Sequence, residues 1–200
     1  MRHHSVNSAS LGVRARFTRL VGFGALLLLA GVALARPAAP SEPVLPELVA
    51  AREPGLQPVG SGELRWLGRP IYDASLWTTQ GRFHGFRAGE PVALSLWYQR
   101  SFSESELLRI VDFAWHRLEL PDDAPRQRWL AELERIWSDV EPGHNLTTVV
   151  VPGVETRFYD RDRLLGRIAE PAFGPAFLSI WLDARSPVRD LRAQLLGADE

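Results

Sequence analysis

Short stretches of branched, aromatic and alternating apolar residues recur along this chain, and they predict six β-strands. Glycine, proline and clustered polar residues separate neighbouring stretches, as at Gly68-Arg69-Pro70 and at the polar run 160–163. Such short connections are typical of antiparallel neighbours. The predicted strands are 63–67, 71–78, 91–100, 145–152, 155–159 and 164–168.

Four segments have a helical spacing of apolar residues instead. Ser103 and Glu106 have capping-box spacing ahead of the first, and Ser186 is the predicted N-cap of the last, with Pro187 at its first position and Gly197 at its end. The second and third helices cover 126–137 and 171–183. The expected apolar faces consist of Leu107, Ile110, Val111, Ala114 and Leu118, then Trp129, Leu130, Leu133, Ile136 and Trp137, then Phe173, Phe177, Ile180 and Trp181, and then Leu191, Leu195 and Leu196.

The order is three strands, two helices, three strands and two helices. Because the connections between strands are short, this order predicts an α+β fold in which an antiparallel sheet is backed by a layer of helices.

The N-terminus has the pattern of a signal peptide. Arginines at 14, 16 and 19 precede the apolar run 20–35, and Ala33-Leu34-Ala35 has small residues where signal peptidase reads them. We therefore expect residues 1–35 to be removed before Arg36 and the protein to be periplasmic or otherwise exported. The alternative is an uncleaved membrane anchor, but the apolar run has 16 residues and a spanning helix needs about 20. After cleavage the protein would have no further contact with the membrane.

Residues 36–58 contain six prolines and little periodicity, which predicts a Pro-rich linker or extended lead-in before a domain at 59–197. The chain has no cysteine, so lipid attachment at a lipobox and disulfides are both excluded. Packing alone must stabilise the exported domain.

Charge and motifs exclude several classes of function. From Arg36 onward 19 arginines accompany 24 acidic residues, so no basic patch for nucleic acid is expected. His84, His116 and His144 lack a partner at metal-ligand spacing, and Gly60-Ser61-Gly62 lacks the third glycine and following helix of a phosphate loop. No cofactor or metal is predicted, and no nucleophile for classical hydrolysis stands out.

Both faces of the second and third strands carry aromatic and polar residues. Tyr72 and Leu76 share one face of the second strand, whereas Asp73, Ser75 and Trp77 share the other. A sheet with one solvated face would keep aromatic residues off that face, so the mixture favours two covered faces, one of them polar-lined. Arg65, flanked by apolar residues, either forms a surface pair with Glu63 or Asp73 or faces a cleft.

Three segments carry a resemblance to a known family: GSGELRWLGRPIYDASLW, EPVALSLWYQRSFSESEL and FGPAFLSIWLDARSPVRDLRAQLLG. From about Val59 to Gly197 the chain resembles the bacterial chalcone isomerase-like proteins. The resemblance implies a ligand cleft between a sheet and its helices. The wider superfamily includes flavanone-forming isomerases and non-catalytic fatty-acid-binding proteins, which hold an anionic oxygen with a strand arginine.

The resemblance assigns that arginine to Arg65, with Asp73 orienting it and Tyr98 nearby as a further ligand-binding residue. We expect non-catalytic binding of a small apolar or acidic, fatty-acid-like ligand. The alternatives are an isomerase or lyase acting on a small phenolic or enone substrate, with catalytic residues unassigned, and a scaffold that binds a protein partner.

Overall fold

Six strands form one antiparallel sheet in which each strand pairs with the next along the chain, in the order β1 to β6. The computed structural model describes residues 43–120 and 122–197, and the predicted signal peptide lies outside them. Within the described residues the elements are α1 (Glu47–Arg52), β1 (Gln57–Trp66), β2 (Arg69–Thr78), β3 (Val92–Tyr98), α2 (Glu104–Leu118), α3 (Asp123–Ile136), β4 (Asn145–Val151), β5 (Glu155–Tyr159), β6 (Leu164–Ile168), α4 (Phe173–Leu182) and α5 (Arg189–Leu196). The predicted α+β architecture is confirmed.

The larger core lies between one face of the sheet and helices α2 to α5. Period-two alternation directs Tyr72, Leu76, Leu94 and Phe158 to this helix-side face, where they are buried with aromatic residues of α3 and α4. The helix-side core also contains Trp115, Trp129, Trp137, Phe173, Phe177, Trp181, Leu191 and Leu195.

Helix α2 begins at the predicted capping box. The Ser103 Oγ accepts from the Glu106 amide at 3.3 Å, and the Glu106 carboxylate accepts from the Ser103 amide at 2.8 Å. The predicted core face is wrong at Ile110, which is largely exposed. Trp115 is buried instead, so the buried stripe turns away from Ile110.

Two glycines let α5 approach the sheet closely. A Cβ at Gly60 would collide with the backbone carbonyls of Gln194 and Leu195, and a Cβ at Gly62 would collide with the Gln194 side chain. Because β1 presents both glycines on one face, the helix can lie directly against the strand. Gly60-Ser61-Gly62 is thus a helix-packing surface.

Helix α5 starts later than predicted. Its N-cap is Val188 and its first residue is Arg189. The buried Ser186 hydroxyl donates to the Ile180 carbonyl at 2.7 Å and accepts from the Val188 amide at 3.2 Å, so Ser186 closes the turn before the helix and is not the cap. Gly197 ends the helix as predicted.

Part of the predicted lead-in is folded. Residues 47–52 form α1, and β1 begins at Gln57, two residues before the predicted domain start. The side chain of Val49 on α1 is fully buried against Trp77, Val149 and Tyr159 on the sheet face opposite the larger core. The prolines around it obscured the helical pattern in the sequence, and the helix is held to the sheet by Val49 with the partly buried Leu48 beside it.

That second sheet face has a polar interior. Ser95 Oγ accepts from Asn145 Nδ2 at 2.8 Å and from Thr147 Oγ1 at 2.9 Å, and Trp77 Nε1 donates to Ser75 Oγ at 3.0 Å. All five side chains are buried. The prediction of two covered faces, one of them polar-lined, is confirmed.

None of the helices in the described part of the chain is both long and apolar enough to cross a membrane.

Candidate functional site: a cleft at the end of the sheet

Arg65 lies at the exposed end of the β1–β2 hairpin. Its side chain is 53% exposed, and its guanidinium donates to Glu63 Oε2 at 2.6 Å and to the Gly68 carbonyl at 2.5 Å. Of the alternatives that the sequence left open for Arg65, the surface pair with Glu63 is the one that the structure contains. The apolar neighbours that suggested a cleft, Trp66 and Leu67, are themselves exposed.

Asp73 is half-buried on the polar-lined face, between Glu63 on β1 and Trp97 on β3. Its carboxylate accepts a hydrogen bond from Gln99 Nε2. Burial raises the pKa of Asp73, and the hydrogen bond from Gln99 opposes that rise. Asp73 orients Gln99, whereas Arg65 makes its contacts elsewhere.

Tyr98 lies on the helix-side face, buried against Tyr72 and Phe102. Trp181 Nε1 donates to the Tyr72 hydroxyl at 2.9 Å. Burial raises the pKa of both phenols, so both remain protonated at neutral pH. Asp73 and Tyr98 occupy opposite faces, and the three predicted ligand-binding residues do not form one site.

The structure instead contains a half-open cleft of about 120 Å³ between the helix layer and the sheet. We call it the sheet-end cleft, because it lies where β4 begins and where the β5–β6 turn and the segment after α3 meet the start of α2. Its apolar wall consists of Leu107, Trp137, Val140, Leu146 and Leu165, and its polar residues are Ser138, Asp139, His144, Asn145, Asp160 and Arg163.

Hydrogen bonds hold several of the polar residues in place. Asp139 Oδ1 accepts from the Glu104 amide at the N-terminus of α2 at 2.8 Å, and Asp160 Oδ1 accepts from the Arg161 amide at 2.5 Å. His144 Nδ1 accepts from the Glu141 amide at 3.1 Å, which leaves Nε2 to carry the proton of the neutral ring. The polar residues are thus fixed largely by the backbone around them.

The charges around the cleft are of both signs. Two carboxylates, Asp139 and Asp160, accompany the guanidinium of Arg163 and the imidazole of His144. Within residues 43–120 and 122–197, no carboxylate lies close enough to Arg163 for an ion pair. The cleft offers an apolar wall and hydrogen-bonding groups, without a strong net charge.

The indole N–H of Trp137, in the cleft wall, is unusual among the polar groups of the cleft. Its indole nitrogen is buried and has no acceptor among the described residues, while its ring packs against Phe158 and Phe177. Leaving such a donor without a partner costs about 1–3 kcal/mol. Packing of the ring therefore takes precedence over the hydrogen bond here.

Sequence reasoning missed this cleft because its residues come from four separated segments. Two signals were present: the polar run 160–163 between two strands, and His144-Asn145 at the start of a strand. Both lie at strand ends, where side chains of different strands meet. No cluster of histidine and acidic residues that could hold a metal ion occurs within the described ranges.

Comparison with known proteins identifies the family of this chain and a solved structure of similar fold. The sequence profile of the family described as chalcone isomerase-like matches residues 66–197. The crystal structure of an Arabidopsis thaliana fatty-acid binding protein superposes with a TM-score of 0.57 at 9% sequence identity, covering 72% of this chain and 87% of that one. Curated proteins gave no significant match. The predicted resemblance is confirmed at the level of the family, and this chain belongs to the chalcone isomerase-like family.

Proposed function

We propose that this protein binds a small, mainly apolar ligand in the sheet-end cleft without transforming it. The observation that carries the proposal is the half-open cleft itself, with its five apolar wall residues between helix layer and sheet. Small-molecule sites are concave and mainly apolar with a few placed polar groups. The fatty-acid binding protein of similar fold supports binding as a use of this architecture.

The size of the cleft restricts the ligand. A cavity of about 120 Å³ is smaller than the roughly 300–1,000 Å³ of sites for drug-sized ligands. We infer a short ligand, or a longer one of which only one end enters. Because Asp139 and Asp160 offset the charge of Arg163, a neutral oxygen-bearing head group should bind about as well as an acid.

Titration calorimetry with 1-hexanol and hexanoate tests this proposal. We expect the two affinities to lie within about tenfold of each other, which corresponds to less than about 1.4 kcal/mol. A strong preference for hexanoate that disappears in Arg163→Gln but persists in Arg135→Gln would favour an acid-binding protein instead. Arg135 is a suitable control because it lies on α3, outside the cleft, paired with Glu132.

Two neighbouring leucines provide a matched pair of variants. Leu165 lines the cleft, whereas Leu164, the preceding residue on β6, does not. Leu165→Phe should fill the cleft and weaken hexanol binding by at least about tenfold, while Leu164→Phe should bind as the wild type does. Equal affinity in both variants, with unchanged unfolding midpoints, would overturn the site.

An isomerase or lyase is less well supported by the geometry. The buried phenols of Tyr72 and Tyr98 remain protonated at neutral pH and cannot act as bases there. Arg65, the cation that the resemblance implied for an enolate or phenolate, is paired with Glu63 at a hairpin end. Binding without a reaction needs neither a catalytic base nor a free arginine.

We further propose that the protein is exported and begins at Arg36 in its mature form. The support is the arginine-rich start, the 16-residue apolar run and Ala33-Leu34-Ala35. N-terminal sequencing of protein recovered from the soluble exported fraction should read Arg36 first. Recovery of membrane-bound protein that still carries Met1 would favour the anchor.

A further inference from the structure

The most exposed apolar residues of the described chain lie side by side at the tip of the β1–β2 hairpin. Leu67 is 87% exposed and Trp66 is 68% exposed. Arg65 and Arg69, both exposed, flank them. We call residues 65–69 the hairpin tip.

Leu67 is unfavourable at the tip for two independent reasons. Leu67 and Gly68 both have positive φ, 49° and 75°, as in a type I′ turn of two residues. Asparagine, aspartate and glycine suit the first of these positions, whereas leucine there strains the backbone. Its side chain also gains almost no burial in return. A leucine that benefits neither the turn nor the core points to a role outside the domain.

The charges around the hairpin tip indicate what kind of surface it could bind. Arg69 has no carboxylate within ion-pair distance among the described residues, whereas Arg65 is paired with Glu63. Tryptophan and arginine beside an exposed leucine are the combination that enters the headgroup region of a bilayer, with the apolar side chains inserted and the guanidinium at anionic phosphates.

We propose that the hairpin tip is a contact site for an anionic lipid surface, with Trp66 and Leu67 inserted and Arg69 at the headgroups. This contact differs from insertion of the apolar segment 20–35, and it would place the folded domain at a membrane after export. It does not depend on the sheet-end cleft binding a ligand.

The absence of cysteine from the chain permits a local test with the full-length protein. Leu67→Cys carries an environment-sensitive fluorophore, and Val154→Cys carries the same label as the control. Val154 is also an exposed apolar residue near a turn, at 56% exposure, but no arginine adjoins it in sequence. Each labelled chain is mixed with vesicles of phosphatidylcholine alone or of phosphatidylcholine with phosphatidylglycerol.

We expect a blue shift of the label at position 67 with the anionic vesicles and none of the label at 154. Adding Arg69→Gln should weaken the partitioning about fivefold, the effect of one arginine near a charged membrane. Arg65→Gln should have a smaller effect, because Glu63 already offsets that charge.

Three results would overturn the proposal. The label at 67 could stay in water on the anionic vesicles, or both labels could shift equally. Alternatively, the label at 67 could shift with rising protein concentration in the absence of lipid, which would identify the tip as a protein–protein contact.

Discussion

The strain at Leu67 gives a prediction at the scale of one residue. Leu67→Asn should raise the free energy of unfolding by about 1 kcal/mol, because asparagine tolerates the left-handed region better than leucine does. Urea unfolding measures the change. Val154→Asn is the control: Val154 is exposed but has no positive φ, so it should change stability by less than about 0.5 kcal/mol. A less stable Leu67→Asn protein would mean that Leu67 has a structural contact.

Glu170 gives a second residue-scale prediction, on pH. Hydrogen bonds from Arg128 and Trp129 lower the pKa of Glu170 to about 2, from 4.5. A carboxylate with a lowered pKa stabilises the fold above its unfolded pKa, and this contribution disappears as the pH falls through the folded pKa. The stability difference between wild type and Glu170→Gln should therefore be largest above about pH 4.5 and shrink toward about pH 2. The side chain is partly exposed, so the effect should be modest.

Urea unfolding at several pH values checks this prediction, with Arg128→Gln as the reference background. In that background the pH dependence due to Glu170 should be smaller, since only the Trp129 hydrogen bond remains. A difference between wild type and Glu170→Gln that stays constant with pH would contradict the ion pair.

The residue scale is also where prediction from sequence was least successful. Period-two alternation correctly assigned Tyr72 and Asp73 to opposite faces, but it does not tell how far along the strand a face is covered. Arg65 is only two residues beyond Glu63, yet no element of the described chain packs over it from either face of the sheet. Coverage depends on elements distant in sequence, such as α1 and α5, and a local pattern does not contain that information.

At the scale of elements, the approach of α5 to β1 can be tested with glycine variants. Gly60→Ala and Gly62→Ala should each destabilise the protein by about 1–3 kcal/mol, because the added methyl group meets atoms of α5. The two sites should differ in how they are rescued. The methyl at position 62 meets the side chain of Gln194, whereas the methyl at position 60 meets backbone carbonyls.

Adding Gln194→Ala should therefore restore most of the stability of Gly62→Ala and little of that of Gly60→Ala. Thermal or urea unfolding of the four variants decides between these outcomes. Rescue of both glycine variants would indicate that α5 shifts as a body, and rescue of neither would indicate that the contact with Gln194 is not what limits packing.

Elements were predicted well where turn residues or a capping box mark their ends. The last two strands, Glu155–Tyr159 and Leu164–Ile168, have the predicted bounds, and the first long helix begins at its predicted capping box. Helix α1 was missed because it has six residues among prolines and is stabilised by tertiary contacts of Val49. The start of α5 was misplaced because a serine before proline forms the same hydrogen bonds in a turn as at a cap.

At the scale of the whole molecule, the second sheet face decides where the domain begins. Val49 packs on Trp77, Val149 and Tyr159, and Glu53 at the end of α1 forms an ion pair with Arg157 on β5. These contacts join the segment before β1 to the middle strands of the sheet. The folded unit should therefore include α1, whereas the sequence placed the domain start at Val59.

Two shortened chains test this boundary. A chain that begins at Val59 should be less stable than one that begins at Arg36 by at least about 3 kcal/mol, since it exposes apolar surface worth about 1.5–3 kcal/mol for each large side chain. Within the longer chain, Val49→Ala should cost about 1–3 kcal/mol. Arg52→Gln, at an exposed position of the same helix, should cost less than about 0.5 kcal/mol. The contrary result would be equal unfolding midpoints for the two chains, together with no loss of stability in Val49→Ala. It would mean that α1 lies on the sheet without stabilising it. The sheet and its four remaining helices would then fold without the segment before them.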